Sequence, residues 1–327
     1  MSDTVLDVRH LTVEIRQGNE PLVPVRDVSF SVKQGRITGL IGESGCGKTM
    51  AARAVMGLLK PNCRIAEGTI VFDGRDITHL SPQERSSLSG DQMSMIFQEP
   101  MTALNPLMKA GDQVEEVLRI HRKLSPEEAR DRTVDLFREV GIPDSEKRMN
   151  AYPHELSGGL RQRVMIAMAM ILKPKLLIAD EPTTALDVIT EAQILKLMKQ
   201  LCREGTGILL ISHNPGVIAE VCDEVSVMYA GTIAEQADVY ELFDHPLHPY
   251  TRGLFSAVRS LREDPDELSS IPGSVPDLSR RFRGCVFSDR CPCSMVSCME
   301  RKPDMKDIGN GHLLRCHQKG EPNESAH

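Results

Sequence analysis

The sequence predicts an α/β fold with a mostly parallel sheet and a small separate module at the C-terminal end. Three observations carry that prediction. Short apolar runs at 36–41, 176–179 and 207–211 alternate with helix-forming stretches at 48–59 and 188–202, the rhythm of strands buried on both faces and joined by helical crossovers. With 327 residues, 40% of them hydrophobic and 26% charged, the chain can bury a proper core and is not disordered as a whole. Five of the nine cysteines, Cys285, Cys291, Cys293, Cys298 and Cys316, crowd the last stretch, where from about His245 the composition shifts toward Pro, Arg, Ser and Cys without a long periodic segment. A boundary near Ser256 divides the chain into 1–255 and a Cys-rich extension, 256–327.

Each element has its own local reason. Val5 to Val13 and Val25 to Val32 alternate apolar with polar residues in the period-two manner of half-buried strands, separated by the turn-forming Gln17-Gly18-Asn19-Glu20-Pro21, so an antiparallel β layer comes first. Arg36 to Ile41 reads as a strand running into the glycine-rich Gly42 to Gly47, and Lys48 to Leu59 continues as a helix. From about 98 to 165 the chain is predicted to form a helical subdomain. Within it, Ser125-Pro126-Glu127-Glu128 places a capping serine before a proline at the first helical position. After that subdomain come the strand Leu176–Ala179, a helix over Val188–Cys202 and the strand Gly207–Ile211.

Charge and hydropathy exclude several classes. The 39 Lys and Arg against 46 Asp and Glu leave a formal charge of -7, which argues against a nucleic-acid partner. The longest apolar run, Val164 to Leu172, is far short of the roughly 20 residues a spanning helix needs. Met1 to His10 carries charges in place of a signal peptide's apolar region, so the chain is expected to be cytosolic, with any membrane role borrowed from a partner.

Two motifs carry chemistry. Gly42-Glu43-Ser44-Gly45-Cys46-Gly47-Lys48-Thr49 fits the pattern G-x-x-x-x-G-K-[ST] between a strand and a helix. Glycines let successive N–H groups curl around phosphate oxygens, Lys48 reaches the β- and γ-phosphates, the Thr49 hydroxyl meets Mg²⁺, and the helix offers its positive end to the anion. Lys175 to Glu181 is a buried strand ending in two carboxylates, which suits Asp180 to the Mg²⁺ shell and Glu181 to the water that attacks the γ-phosphate.

Leu156-Ser157-Gly158-Gly159-Leu160-Arg161-Gln162, standing after the phosphate loop and before Asp180, resembles the signature of ABC-type ATPases. The resemblance spans about residues 5–255 and implies a P-loop NTPase with a RecA-like parallel core. It also implies that Ser157, Gly158 and Gly159 close over the γ-phosphate of a partner's ATP, so one copy implies a dimer. Matching positions further imply that Gln98 senses Mg²⁺ and water, Glu181 polarises the lytic water, His213 holds the γ-phosphate, and Asp187 ties the two sites across the dimer. The chain departs from its relatives in three places: no aromatic residue lies in 14–26 to stack on adenine, Asn214-Pro215 follows His213 where an Asp is usual, and the signature carries Leu160 in place of Gln or Met.

Gln98-Glu99-Pro100-Met101-Thr102-Ala103-Leu104-Asn105-Pro106, together with His248-Pro249-Tyr250-Thr251-Arg252-Gly253-Leu254 and Ile271-Pro272-Gly273-Ser274-Val275-Pro276, is similar to the branch that energises dipeptide, oligopeptide and nickel importers. This implies a translocating ATPase at the cytoplasmic face of the cell membrane. Its expected partners are two membrane-spanning permease subunits, a second ATPase subunit in a heterodimer or homodimer, and an extracytoplasmic substrate-binding protein. A di- or oligopeptide substrate is expected, with nickel as the alternative. A soluble ABC-type ATPase acting on ribosomes or DNA is a remoter one, since the chain has one phosphate loop and no long heptad insert. The extension spaces its thiols as Cys285-x5-Cys291-x6-Cys298-x17-Cys316, with Cys293 extra. Four such thiolates suit a [4Fe–4S] cluster, carried in this tail by some relatives, or zinc, and plain thiols remain the third reading.

Overall fold

A computed structural model of the chain describes residues 3–18, 20–99, 103–184, 186–263, 271–277 and 282–318. Pro100, Met101, Thr102 and Ala185, which the sequence motifs include, lie outside them. In chain order the strands are β1 (Thr4–Ile15), β2 (Leu22–Lys33), β3 (Ile37–Ile41), β4 (Cys63–Phe72), β5 (Arg75–Asp76), β6 (Met93–Ile96), β7 (Leu176–Asp180), β8 (Gly207–Ser212), β9 (Glu224–Tyr229), β10 (Thr232–Asp238), β11 (Lys306–Asp307) and β12 (Leu313–Leu314). The principal helices are α1 (Lys48–Met56), α2 (Pro82–Leu88), α3 (Ala110–Arg122), α4 (Pro126–Glu139), α5 (Ser145–Arg148), α6 (Gly158–Met170), α7 (Val188–Arg203), α8 (Pro215–Val221), α9 (Val239–Asp244), α10 (Pro249–Glu263) and α11 (Val296–Glu300). Among the described residues no helix is long and apolar enough to cross a membrane.

The chain gathers into two compact units, the first of Met1–Leu6, Val32–Ile37 and His79–Leu210 and the second of Asp7–Ser31, Thr38–Thr78 and Ile211–His327. In the first unit β6 and β7 run parallel, Met93 opposite Leu176 and Ile96 opposite Ala179, and β8 lies on the far side of β7. Every residue of β7 is buried, as a strand covered on both faces requires. Helices α3 and α4 are separate: Lys123 takes φ 52° to end the first, and Ser125 starts the second with a capping box, its hydroxyl accepting from the Glu128 N–H at 3.2 Å while the Glu128 carboxylate accepts from the Ser125 N–H at 3.0 Å. Leu118, Ala129 and Leu172 form the buried heart of this helical part.

The second unit holds the predicted antiparallel layer, ordered β2-β1-β4-β5, and strands ordered β11-β12-β10-β9-β3. β3 and β9 are parallel, Thr38 opposite Glu224, and β10 pairs antiparallel with β9 on one side and β12 on the other. The sequence reading assigned no element to 224–238. That hairpin turns on Ala230 (φ 43°) and Gly231 (φ 86°), the two left-handed residues that a tight two-residue hairpin needs.

Two expectations are corrected. The helix predicted to Leu59 ends at Met56, because Gly57 takes φ 69° and the Gly57 and Leu58 N–H groups turn back to the carbonyls of Ala54 and Arg53. The region after His245, read as lacking a long periodic segment, contains the 15-residue helix α10. Pro249 opens it where a missing N–H costs nothing, and Tyr250, Thr251 and Phe255 are buried along it. Gly253 sits where a Cβ would come 2.7 Å from the Ile271 side chain, so it is a contact glycine within the helix.

Glu235, fully buried on β10, joins three segments: it accepts N–H bonds from Leu247 (2.7 Å) and His248 (3.0 Å) and meets Nε2 of His312 at 2.7 Å. Burial works against the charged His312 ring, but the hydrogen bond and charge of Glu235, with Glu241 beyond, outweigh it, so its pKa is raised. His248, completely enclosed, has its pKa lowered to about 4 by burial, and its Nδ1 accepts the Tyr250 N–H at 3.1 Å. A raised histidine stabilises the fold fully below its unfolded pKa and loses that contribution as pH rises through the folded one. The stability advantage of wild type over His312→Gln is therefore expected to be largest below pH 6.5 and to shrink above it. Denaturant midpoints across that range check this, and an advantage that grew with pH would contradict it.

Candidate functional site

The predicted phosphate loop leaves the C-terminal end of β3 and feeds α1. Its path is set by backbone proximity. A Cβ on Gly42 would lie 2.1 Å from the Met228 carbonyl oxygen, and one on Gly47, at φ 107°, would lie 2.3 Å from that of Pro24. Ser44 and Gly45 are exposed at the crest, and Gly45 takes φ 78°. No side chain caps the N-terminus of α1, where Gly47 stands, so the first-turn N–H groups of Lys48 and Thr49 face a loop built of backbone.

Lys48, only 7% exposed, donates from Nζ to the carbonyls of Gly42 (2.7 Å) and Glu43 (3.0 Å) and lies 3.6 Å from Cys46 Sγ. Burial pushes the Cys46 thiol pKa up, against the pull of Lys48, so it packs as a neutral group. Two further residues hold Glu43, and sequence reasoning did not single out either for this role. The Tyr250 hydroxyl accepts the Glu43 N–H at 2.9 Å, and Arg290 clasps the Glu43 carboxylate at 2.6 and 3.1 Å. Both come from residues 207 and 247 positions away, a separation that no local pattern reveals. His213, in this same unit, is exposed just beyond β8, where Asn214 caps α8 by accepting the Gly216 N–H at 2.9 Å.

In the first unit, Asp180 ends β7 at 1% exposure and Glu181 follows at φ 51°. A left-handed glutamate costs roughly 1–3 kcal/mol, and such positions cluster where function demands them. Thr184 Oγ1 donates to Glu181 Oε2 at 3.2 Å. Because β6 and β7 are parallel, the exposed Gln98, just past β6, stands at the same strand edge as the two carboxylates. Ligands of parallel sheets bind at that edge.

The signature residues Ser157, Gly158 and Gly159 begin α6. Ser157 Oγ accepts the Leu160 N–H at 3.4 Å, Ser157 and Gly158 are exposed, and a Cβ on Gly158 would meet nothing within 4 Å. Gln162, buried one turn on, donates to the Pro182 carbonyl, tying the signature helix to the turn that follows Glu181. Arg163 donates to the Gly141 carbonyl and Thr190 Oγ1, and at 3.4 Å to Asp187. Asp187 caps α7 by accepting the Thr190 N–H (3.0 Å) and hydroxyl (2.7 Å), and these bonds hold its carboxyl below the ordinary range.

The iron–sulfur expectation is not supported. Among the described residues no group of three or more His, Cys, Asp or Glu is arranged to hold a metal ion, and Cys285, Cys291, Cys293, Cys298 and Cys316 are all free. Burial, with the neighbouring cysteines adding to it, raises the thiol pKa values of Cys285 and Cys316 and that of Cys291 to about 11.

The family model described as ABC transporter matches residues 25–184, and that described as oligopeptide/dipeptide transporter, C-terminal region, matches 234–298. The oligopeptide transport ATP-binding protein OppD of Salmonella typhimurium is 45% identical over 316 residues, 96% of this chain and 94% of that protein. The dipeptide transport ATP-binding protein DppD of Escherichia coli is 41% identical over 314 residues, 96% of each chain. Among solved structures, the dimeric bacterial ABC transporter cassette MJ0796 matches with a TM-score of 0.66 and 26% identity, over 72% of this chain and 98% of that one.

Gly47→Ala is expected to lower the melting temperature by several degrees, because the added Cβ must push the Pro24 carbonyl aside at a positive φ. Thermal unfolding checks this, and an unshifted transition would show that the loop does not need the close approach.

Proposed function

The chain belongs to the ABC transporter family of transport ATPases, and from that premise we propose that it is the ATP-hydrolysing subunit of a membrane importer for di- and oligopeptides. The observation that carries the chemistry is the glycine loop beneath the uncapped N-terminus of α1, with Lys48 drawn into it. That arrangement fits a polyphosphate: N–H groups and one ammonium, with bare glycines where side chains would block approach. The relatives above are named for oligopeptide and dipeptide transport, which favours peptides over the nickel alternative.

In this reading, residues 42–49 bind the nucleotide, with Thr49, Asp180 and Gln98 as the groups suited to Mg²⁺. Bound Mg²⁺ supplies neutralisation of charge on the phosphates. Glu181 orients and deprotonates the attacking water, and His213 steadies the γ-phosphate. Ser157, Gly158 and Gly159 at the start of α6, the first two exposed, offer N–H groups to the nucleotide of a second ATPase subunit, and Asp187 ties the two sites across that dimer. Closing such a dimer on ATP and reopening it after hydrolysis would drive two permease subunits, placing the chain peripherally on the cytoplasmic face of the membrane, with a binding protein delivering the peptide from outside.

Glu181→Gln is expected to bind ATP normally while hydrolysis falls at least about 100-fold, the usual worth of a general base. In cells where this variant is the sole copy, uptake of a labelled dipeptide is expected to stop while uptake of labelled nickel continues. Retained hydrolysis would remove Glu181 from its role, and loss of nickel uptake alone would overturn the peptide assignment.

A further inference from the structure

We propose that Arg290 is a positioning residue for the nucleotide: it neutralises and anchors Glu43, the carboxylate that the phosphate loop carries inside its own anion-binding turn. The inference deepens the ATPase reading and rests on it. Its starting point is an electrostatic oddity. A loop that gathers N–H groups and a lysine for phosphate also places a carboxylate immediately after Gly42, where a free negative charge would repel the phosphates.

Arg290 removes that conflict. Nη1 donates to Glu43 Oε2 at 2.6 Å and Nη2 to Oε1 at 3.1 Å, the two-pronged geometry that only a guanidinium supplies. The Arg290 side chain is 6% exposed and that of Glu43 28%, so the guanidinium side of the pair is shielded from solvent. The remaining donors are also committed: Nε to the Pro272 carbonyl at 2.8 Å, Nη2 to that of Ile271 at 3.3 Å, and Nη1 to the Tyr229 hydroxyl at 3.3 Å. The guanidinium is thus fixed by β9 and by the segment that Gly253 admits against α10. Tyr250 holds the same loop residue from the other side through the Glu43 N–H. With side chain and N–H both fixed, the Glu43 carbonyl has one place to be, and it is one of the two carbonyls that hold Lys48 Nζ. Arg290 therefore acts on the phosphates at one remove, through charge on Glu43 and through the position of Lys48.

The test measures binding of a fluorescent ATP analogue, and KM and kcat for ATP, on the purified full chain as wild type, Arg290→Ala, Arg290→Lys and the double variant Arg290→Ala/Glu43→Gln. Arg290→Ala is expected to weaken ATP binding by about tenfold and to raise KM more than it lowers kcat, because it leaves a bare carboxylate in the loop. Arg290→Lys, which keeps the charge but loses the fork, is expected to fall between. The double variant is expected to bind at least about threefold better than Arg290→Ala, since it removes the repelling charge. A merely structural arginine would not give that recovery. Wild-type affinity in Arg290→Ala, or no recovery in the double variant, would overturn the proposal. Should Arg290→Ala not fold, wild-type affinity in Arg290→Lys would overturn the anchoring. A wild-type chain that binds no nucleotide would overturn the ATPase reading and this inference together, whereas wild-type binding with indifferent variants would overturn this inference alone.

Discussion

The close approach of backbone to backbone around the phosphate loop is the constraint from which most of the second unit follows. Gly42 lies against the Met228 carbonyl and Gly47 against that of Pro24, so a strand of the parallel set and a strand of the antiparallel layer together mould the loop. A side chain at either position would displace main chain, not a yielding side chain, which is why the two bare residues must stand where they do. In that shape the Cys46 N–H turns back to the Glu43 carbonyl, the Glu43 N–H goes to the Tyr250 hydroxyl, and Lys48 reaches inward to the loop's first two carbonyls. A glycine-lined turn at a helix N-terminus is chemically suited to an anion.

The first unit solves a different problem: holding two carboxylates at the end of a strand with no solvent along its length. β7 is buried throughout, Asp180 at its C-terminal end included, so the two carboxylates stand at the edge where the strand gives way to the turn. The left-handed turn at Glu181 then redirects the chain, and Gln162 of the signature helix holds the following Pro182 carbonyl. A shift of that helix is thereby felt within one residue of Glu181. The signature serine and the glycine after it stay exposed at the helix start, where a Cβ on Gly158 would meet nothing within 4 Å.

The C-terminal extension is integrated by polar and aromatic contacts more than by a large apolar core. β12 adds a rung to β10, His312 meets the buried Glu235, and Phe287 packs edge-on to Tyr229 at 5.1 Å and beside Tyr250 at 5.4 Å. Tyr229 and Tyr250, themselves 4.7 Å apart, are the residues whose hydroxyls meet Arg290 and the Glu43 N–H. The thiols of the extension's five cysteines take no part in these contacts, and burial raises the pKa values of Cys285, Cys291 and Cys316.

The phosphate loop, the strand ending in Asp180 and Glu181, the capped start of α4 and the βα order are legible in the residues alone. Each is written in a short window, as a glycine spacing, an unbroken apolar run or a Ser-Pro-x-Glu cap, and local sterics need nothing more. The tertiary contacts settle what no window shows: that Glu43 is held by Tyr250 and Arg290, that Glu235 joins His248 to His312, and that Gly253 of α10 lies against Ile271. They likewise leave the five C-terminal thiols without a metal cage among the described residues, although their spacing allowed one. The reason is the same in each case. A positive φ, a contact glycine or an ion pair across 247 positions takes its energy from partners brought together by the fold, and a sequence window contains only one side of such an interaction.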